Sequence, residues 1–284
     1  PLVSLYGSSK KPSEEALADV DIVIFDIQDV GIRFYTFIST LHYLMEACAE
    51  QDKKLMIFDR PNPNGDYIDG PVLEKGYESF VGMHPIPIVH GLTVGELAQM
   101  INGEGWLEGA VKAPIEVIPV ANWNHEDHYS LPVKPSPNLP NDLAIRLYPS
   151  LCFFEGTDIS LGRGTMFPFQ VYGYPDPKFG DFTFTPVSIE GMSKYPPQQD
   201  KLCYGKDLRD EPLSHQFTLS YLLDAYRIAD KGASFFNAFF DKLAGSDQLR
   251  KSIIAGESEE SIRSSWQREL DAYKTKRKLY LIYK

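Results

Sequence analysis

The chain has 284 residues, 28 basic and 39 acidic, a formal net charge of −11 and a hydrophobic fraction of 43%. That length supports a sizeable core and two domains. The acidic balance argues against nucleic acid as a partner, because phosphate binding needs a basic face. No run of eighteen apolar residues occurs, so no membrane span is expected.

The first residue is proline, no signal peptide is recognisable, and Leu2-Val3-Ser4-Leu5-Tyr6-Gly7 has the character of a strand entered midway. The natural protein is therefore expected to begin earlier, with part of its first domain outside this chain. Ser13 reads as the N-cap of a short helix. Ile22-Val23-Ile24-Phe25 is an apolar run with too little alternation for a one-sided strand, so a strand buried on both faces is expected. Polar residues follow at once: Asp26, Gln28, Asp29, Arg33 and Tyr35. A helix through Phe37, Leu41, Leu44, Met45 and Cys48 comes next.

Lys54-Leu55-Met56-Ile57-Phe58 reads as a second buried strand, and it too ends in polar punctuation, Asp59-Arg60-Pro61-Asn62. Ile86 to Val89 leads to His90, and Thr93-Val94-Gly95-Glu96 is a capping box opening another helix. Residues 115–120 make a further strand. Repeated β-α units imply a mostly parallel, Rossmann-like sheet with helices on both faces. Pro132 to Pro149 is proline-rich, so a catalytic domain is expected over residues 1–148 and a smaller α/β domain over 149–284. The second part holds a glycine-punctuated loop, three expected helices, and a closing strand at Leu279 to Tyr283.

In open α/β sheets ligands sit beyond the carboxyl ends of the strands. Asp26 and Asp29 occupy that position after one strand, Asp59, Arg60 and Asn62 after the next, and His90 after a third. Asp-x-x-Asp has the wrong spacing for an aspartate-nucleophile phosphatase. Glu155, beside Cys152-Phe153-Phe154, has the apolar setting that raises a carboxyl pKa as a general acid requires. Gly162-Arg163-Gly164-Thr165 lacks the third glycine of a dinucleotide fingerprint. Its glycines would instead let backbone amides and the Arg163 guanidinium approach a ligand. His125-Glu126-Asp127-His128 lacks a third-ligand pattern and reads as a solvated loop, so no metal is expected. Cys48, Cys152 and Cys203 match no zinc or redox spacing, and the first two read as buried thiols.

FDIQDVGIRFYTFIST, FDRPNPNG, GPVLE, PIPIVHGLTVGELA, SPNLP and LYPSLCFFEGTDISLGRGTMFPFQ occur in this order. Together they resemble the NamZ-type exo-β-N-acetylmuramidases of bacterial peptidoglycan recycling, over about residues 3–172 and more weakly to the closing RKLYLIYK. The resemblance implies a Rossmann-like catalytic domain, a smaller auxiliary domain, and a site in the cleft between them. It implies release of N-acetylmuramic acid from the non-reducing end of peptidoglycan fragments, an extracytoplasmic location and no cofactor. Members carry an upstream Gly-Pro-Glu-His-Gly segment whose glutamate is a leading catalytic candidate. Nothing here corresponds to it.

Glycoside cleavage needs two carboxyl groups. Glu155 and Asp26 are the favoured pair in this chain, with Asp59 and His90 as further catalytic candidates. Arg33, Arg60 or Arg163 would pair with the lactyl carboxylate of muramic acid. Asn62 and Asn138 would hold hydroxyls or the acetamido group, and Tyr35 would stack on the sugar, with Asp29 and Thr165 completing the binding set. The rival readings are a non-catalytic protein that binds cell-wall fragments, and a nucleotide-binding enzyme, which the lack of a phosphate loop disfavours.

Overall fold

The computed structural model describes residues 2–5, 7, 9–214 and 216–283. Its elements run α1 (Glu14–Leu17), β1 (Ile22–Phe25), α2 (Phe37–Glu50), β2 (Lys54–Phe58), α3 (Val94–Glu104), β3 (Ile115–Ile118) and α4 (Asp142–Leu151). There follow β4 (Val171–Tyr174), β5 (Phe182–Phe184), β6 (Cys203–Asp207), α5 (Ser220–Ala229), α6 (Phe240–Ala244), α7 (Gln248–Ile254), α8 (Glu259–Ser265) and α9 (Gln267–Arg277). The α/β class is as expected. Strands β1-β2-β3 form a parallel sheet in that order, with Phe25 opposite Ile57 and Ile57 opposite Val117.

Helices α2 and α3 pack together on one face, where Ile38, Leu41, Met45, Leu97 and Ile101 meet Phe25, Leu55 and Ile57. The other face differs from expectation. Ile22 is 47% exposed, Ile24 53%, Phe58 37% and Ile118 38%, so among the described residues β1 is buried on one side only and no second helical layer covers the sheet. An apolar run shows that a strand can be buried; it does not show by what.

The capping box forms as expected: Thr93 Oγ1 accepts from the Glu96 amide while the Glu96 carboxylate accepts from the Thr93 amide. Two expected strands do not form: residues 86–89, before His90, contribute only the isolated bridges of Val89 to Ile32 and to Asp69, and the closing segment contributes none. Residue 148, after which the second part was expected to begin, lies inside α4, a helix that continues through Pro149. Proline has no N–H to give the carbonyl four residues back, and here the Asn64 side-chain amide donates to that carbonyl, Ile145 O. The closing segment forms no strand. Instead α9 and residues 278–283 run back over the first half. Tyr273 donates to His90 O (2.7 Å), Tyr280 to Glu104 (2.8 Å), the Ile282 amide to Glu96 (2.9 Å) and Tyr283 to Asp59 (2.7 Å).

The largest apolar cluster draws on both parts of the chain, joining Val30, Ile32 and Phe34 to Phe153, Phe154, Tyr172 and Phe240. The second half has its own antiparallel sheet, ordered β4-β6-β5. At its centre Gly205 lies so close to β4 that a Cβ would sit 1.9 Å from Tyr172 O. Gly205→Ala is therefore expected to cost about 2–3 kcal/mol through forced strand separation, read as a lowered urea midpoint. An unchanged midpoint would disprove this close approach.

Candidate active site

Asp26 follows β1 and Arg60 follows β2, and their side chains meet: Arg60 Nε and Nη2 lie 2.9 and 2.6 Å from Asp26 Oδ1. Both are exposed by more than a third. Asp59, one residue before Arg60, has a different task. It accepts from the Arg60 and Gly95 amides and from the Thr93 and Tyr283 hydroxyls, at 2.7–3.0 Å. Burial pushes its pKa up against these bonds. A carboxylate at a helix start is favoured by the exposed amides and the dipole; Asp59 fastens α3 to the sheet, and its oxygens are spent.

Two further expected ligand contacts are likewise consumed internally. Asn62 Oδ1 accepts from the Asn64 amide and its Nδ2 donates to Leu92 O. Arg33 is 0% exposed. Its Nη1 donates to Pro71 O and Ile86 O and its Nη2 to Leu243 O and Ala244 O, at 2.7–2.9 Å. It joins the two halves of the chain, and the reading as a substrate-carboxylate partner does not fit that position.

Asp29 and His90 form a buried pair. The Gly31 amide donates to Asp29 Oδ2 (2.6 Å), and Oδ1 has no partner among the described residues. Burial lifts the Asp29 pKa to about 7, against backbone hydrogen bonds from Gly31 and Val30. His90 Nδ1 accepts from the Leu92 amide (3.2 Å), which leaves the hydrogen of the neutral ring on Nε2. That Nε2 is unpartnered and lies 3.8 Å from Asp29 Oδ2. Burial, then Arg277, His125 and Arg33, lower the His90 pKa to about 3.

From Asp29 an aromatic chain leads to the second half. The Tyr35 hydroxyl pKa is pushed up by burial and then by the Asp29 charge. The Tyr35 ring packs on Tyr148 of α4 (6.0 Å), Tyr148 on Phe169 (4.9 Å), and the Arg163 guanidinium lies 4.9 Å from the Phe169 ring centre. Phe169 holds this place at φ 57°, a left-handed conformation costly for an aromatic residue, of the kind found where a side chain must be aimed.

Arg163 donates from Nε (2.9 Å) and Nη2 (2.5 Å) to Glu155 Oε1. The other oxygen, Oε2, has no partner among the described residues. Glu155 thus faces a guanidinium rather than the purely apolar setting its neighbours suggested. Burial opposes the Arg163 charge, but Glu155 outweighs it and the pKa is raised.

The remaining candidates make local contacts of their own. Tyr35 donates to Pro135 O (2.9 Å). Asn138 donates to Met192 O (2.9 Å), and its buried Oδ1 is unpartnered. Thr165 donates to Gly162 O (2.7 Å) and accepts from the Phe167 amide. Gly162 and Gly164, both at positive φ, fold this loop against its own chain: added Cβ atoms would meet Phe167 O and Val187 O.

Sequence reasoning did not find Tyr148 or Phe169, whose signal was only that of core aromatics. It also missed His125, whose Nε2 lies 2.9 Å from Glu96 while the rest of its loop is solvated. Among the described residues no group of three His, Cys, Asp or Glu is arranged for a metal, and no helix is long and apolar enough to cross a membrane. Cys48, Cys152 and Cys203 are free and buried.

The Asp26–Arg60 and Glu155–Arg163 pairs are joined by no hydrogen bond or ion pair among the described residues. The Tyr35, Tyr148, Phe169 and Arg163 contacts link the Asp29 side of the first half to Glu155 in the second.

A family model described as exo-beta-N-acetylmuramidase NamZ, N-terminal, matches residues 1–143, and its C-terminal counterpart matches residues 146–283. The peptidoglycan beta-N-acetylmuramidase NamZ of Bacillus subtilis (strain 168) is 40% identical over 303 residues, covering 100% of this chain and 72% of the relative. Two crystal structures of DUF1343-family proteins from Bacteroides fragilis are also similar. One has a TM-score of 0.93 and 51% identity, covering 96% of this chain and 78% of its own; the other has 0.84 and 27%, covering 99% and 79%.

Proposed function

The chain belongs to the NamZ family of exo-β-N-acetylmuramidases, and from that premise we propose that it is a glycoside hydrolase removing N-acetylmuramic acid from the non-reducing end of peptidoglycan fragments, muropeptides included. The observation that supports this reading is Glu155, oriented through one oxygen by Arg163, whose guanidinium lies over the Phe169 ring, with the other oxygen open. Such cleavage needs one carboxyl to protonate the leaving oxygen and a second group to offset positive charge at the anomeric carbon.

Asp29, with a pKa near 7, holds a proton over the range where a general acid works best. In this reading Asp29 is the proton reserve, Glu155 the oriented carboxylate, and Asp26 an outer carboxylate at the strand ends. With Arg33 consumed, Arg163 and Arg60 are the arginines left to meet the lactyl carboxylate. An extracytoplasmic location, where peptidoglycan lies, is part of this proposal.

A chromogenic β-N-acetylmuraminide supplies the test. Glu155→Gln keeps the size and removes the charge, so turnover is expected to fall at least about a hundredfold. Because an acid must hold its proton, turnover of the parent should also decline as pH rises through about 7. A Glu155→Gln variant as fast as the parent overturns the assignment, and binding of the glycoside without hydrolysis by the parent favours a binding protein.

A further inference from the structure

Strands β5 and β6 are antiparallel neighbours, with Phe184 opposite Cys203. Their ends lie side by side, so a turn of about 2–5 residues would join them. The chain instead spends residues 185–202 on the connection, with no helix or strand and only the isolated bridge of Ile189 to Ser193. Connections longer than about 12–15 residues without structure of their own are uncommon in compact domains and usually carry function.

This loop is anchored on three parts of the candidate site. The Val187 amide donates to Gly164 O (2.9 Å). Gly164, next to Arg163, lies so close to the loop that a Cβ would sit 2.5 Å from Val187 O and 2.6 Å from Pro196 Cγ. Gln198 donates to Asp158 O (2.7 Å), just past Glu155, and does so from φ 59°, a left-handed conformation costly outside glycine. Asn138 donates to Met192 O (2.9 Å), while its own Oδ1 is buried without a partner among the described residues. A buried acceptor in that state is costly unless a donor reaches it, and a sugar hydroxyl or acetamido N–H is such a donor.

The residues exposed around these anchors are apolar. Tyr195, directly before Pro196, is 79% exposed, Val187 43%, and Met166, from the loop of Arg163, 77%. Scattered apolar residues on a surface are ordinary. Three of them flanking the contact with one glycine form a patch, of the kind that marks a binding surface. Lys194 Nζ lies over the Tyr195 ring, 5.5 Å from its centre, so at most one face of the ring is taken.

We propose that residues 185–202 form the subsite for the leaving sugar, the pyranose to which the departing N-acetylmuramic acid is joined, with Tyr195 as its stacking platform. The inference rests on the hydrolase reading above. An exo-acting enzyme holds the terminal sugar where Glu155 reaches its anomeric carbon, and the rest of the chain passes over the rim of the site. The loop is such a rim, fixed beside Glu155 and Arg163 and exposed on its outside. A pyranose face lined by C–H groups is apolar and stacks on an aromatic ring whose hydroxyl end stays wet. Tyr195 is thus a specificity residue and touches no reacting atom.

The test compares methyl β-N-acetylmuraminide, which has no leaving sugar, with the disaccharide in which N-acetylmuramic acid is β-linked to N-acetylglucosamine. In Tyr195→Ala the disaccharide KM is expected to rise about tenfold with kcat within about twofold, and the methyl glycoside to be unaffected. Tyr195→Phe keeps the ring and should keep the parent KM. A disaccharide KM unchanged in Tyr195→Ala overturns the proposal. So does an equal loss for both glycosides, which would put the ring at the terminal sugar, and so does a loss confined to a disaccharide bearing a peptide stem, which would assign the loop to the peptide. If the parent cleaves neither glycoside, the hydrolase reading falls, and calorimetry reads the same contrast as Kd. A disaccharide about tenfold weaker on Tyr195→Ala, with the methyl glycoside unchanged, then keeps the subsite; no such difference, or no disaccharide binding by the parent, removes it.

Discussion

Arg33→Met is expected to leave little or no folded protein at 37 °C, with a loss upward of about 5 kcal/mol. The guanidinium serves four backbone carbonyls, two of them in the last turn of α6. Removing a donor from a buried acceptor costs about 1–3 kcal/mol each, and a whole domain is stable by only about 5–15 kcal/mol. Burial lowers the Arg33 pKa to about 9, still above neutrality, so the fork stays charged where carbonyl dipoles favour a cation. Arg33→Lys should recover less than half of the loss, since an ammonium cannot present the planar fork that meets four acceptors. Denaturant midpoints of both variants measure this; a methionine variant within about 1 kcal/mol of the parent would show that water can replace the guanidinium.

The second large effect concerns pH. Asp29 has a folded pKa of about 7 against a reference of 3.8. Between these values the folded chain holds a proton that the unfolded chain has released, so the contribution of Asp29 to stability falls as pH rises, by about 1.4 kcal/mol per unit. His90 has a folded pKa of about 3 against 6.5. There the unfolded chain holds the extra proton, so its contribution grows as pH rises and is lost as pH falls. Over the shared window the two slopes oppose each other.

Measured against the parent, Asp29→Asn should therefore gain stability from pH 4 to 7, by on the order of 4 kcal/mol in total. His90→Asn, whose amide oxygen can take the place of Nδ1 for the Leu92 amide, should lose a similar amount from pH 3 to 6.5. The double variant should differ little in slope from the parent. Urea titrations across this range check the signs. If neither single variant departs from the parent slope, the protonation states assigned to this pair are wrong.

Local rules carried well from sequence to structure. Strands β1 and β2, helix α2 and the Thr93–Glu96 capping box depend on residues a few positions apart, and they form as their patterns require. Failures came where the decisive partner lies far along the chain. Arg33 looked free to bind a ligand because its acceptors at Leu243 and Ala244 lie over two hundred residues away. The 279–283 run is apolar enough for a strand, but the Glu96 and Asp59 carboxylates take its polar groups and it pairs with no strand among the described residues. Helix α4 was obscured by Pro149, whose cost is met by Asn64. Burial on both faces of β1 could not be read from Ile22–Phe25 alone. Glu155 and Arg163 were legible as chemistry-bearing residues, whereas their mutual pairing and the Phe169 ring beneath Arg163 were not.

The return of the last helix and the residues after it over the first half bears on how relatives can be recombined. A hybrid joined near residue 144 would carry its recipient's Asp59, Glu96 and Glu104 together with the donor's Tyr273, Tyr280 and Tyr283. Its success depends on that distant match as much as on the splice. The two family segments thus form parts of a single clasp, and exchange between lineages is expected to succeed when the terminal helix travels with the sheet it grips.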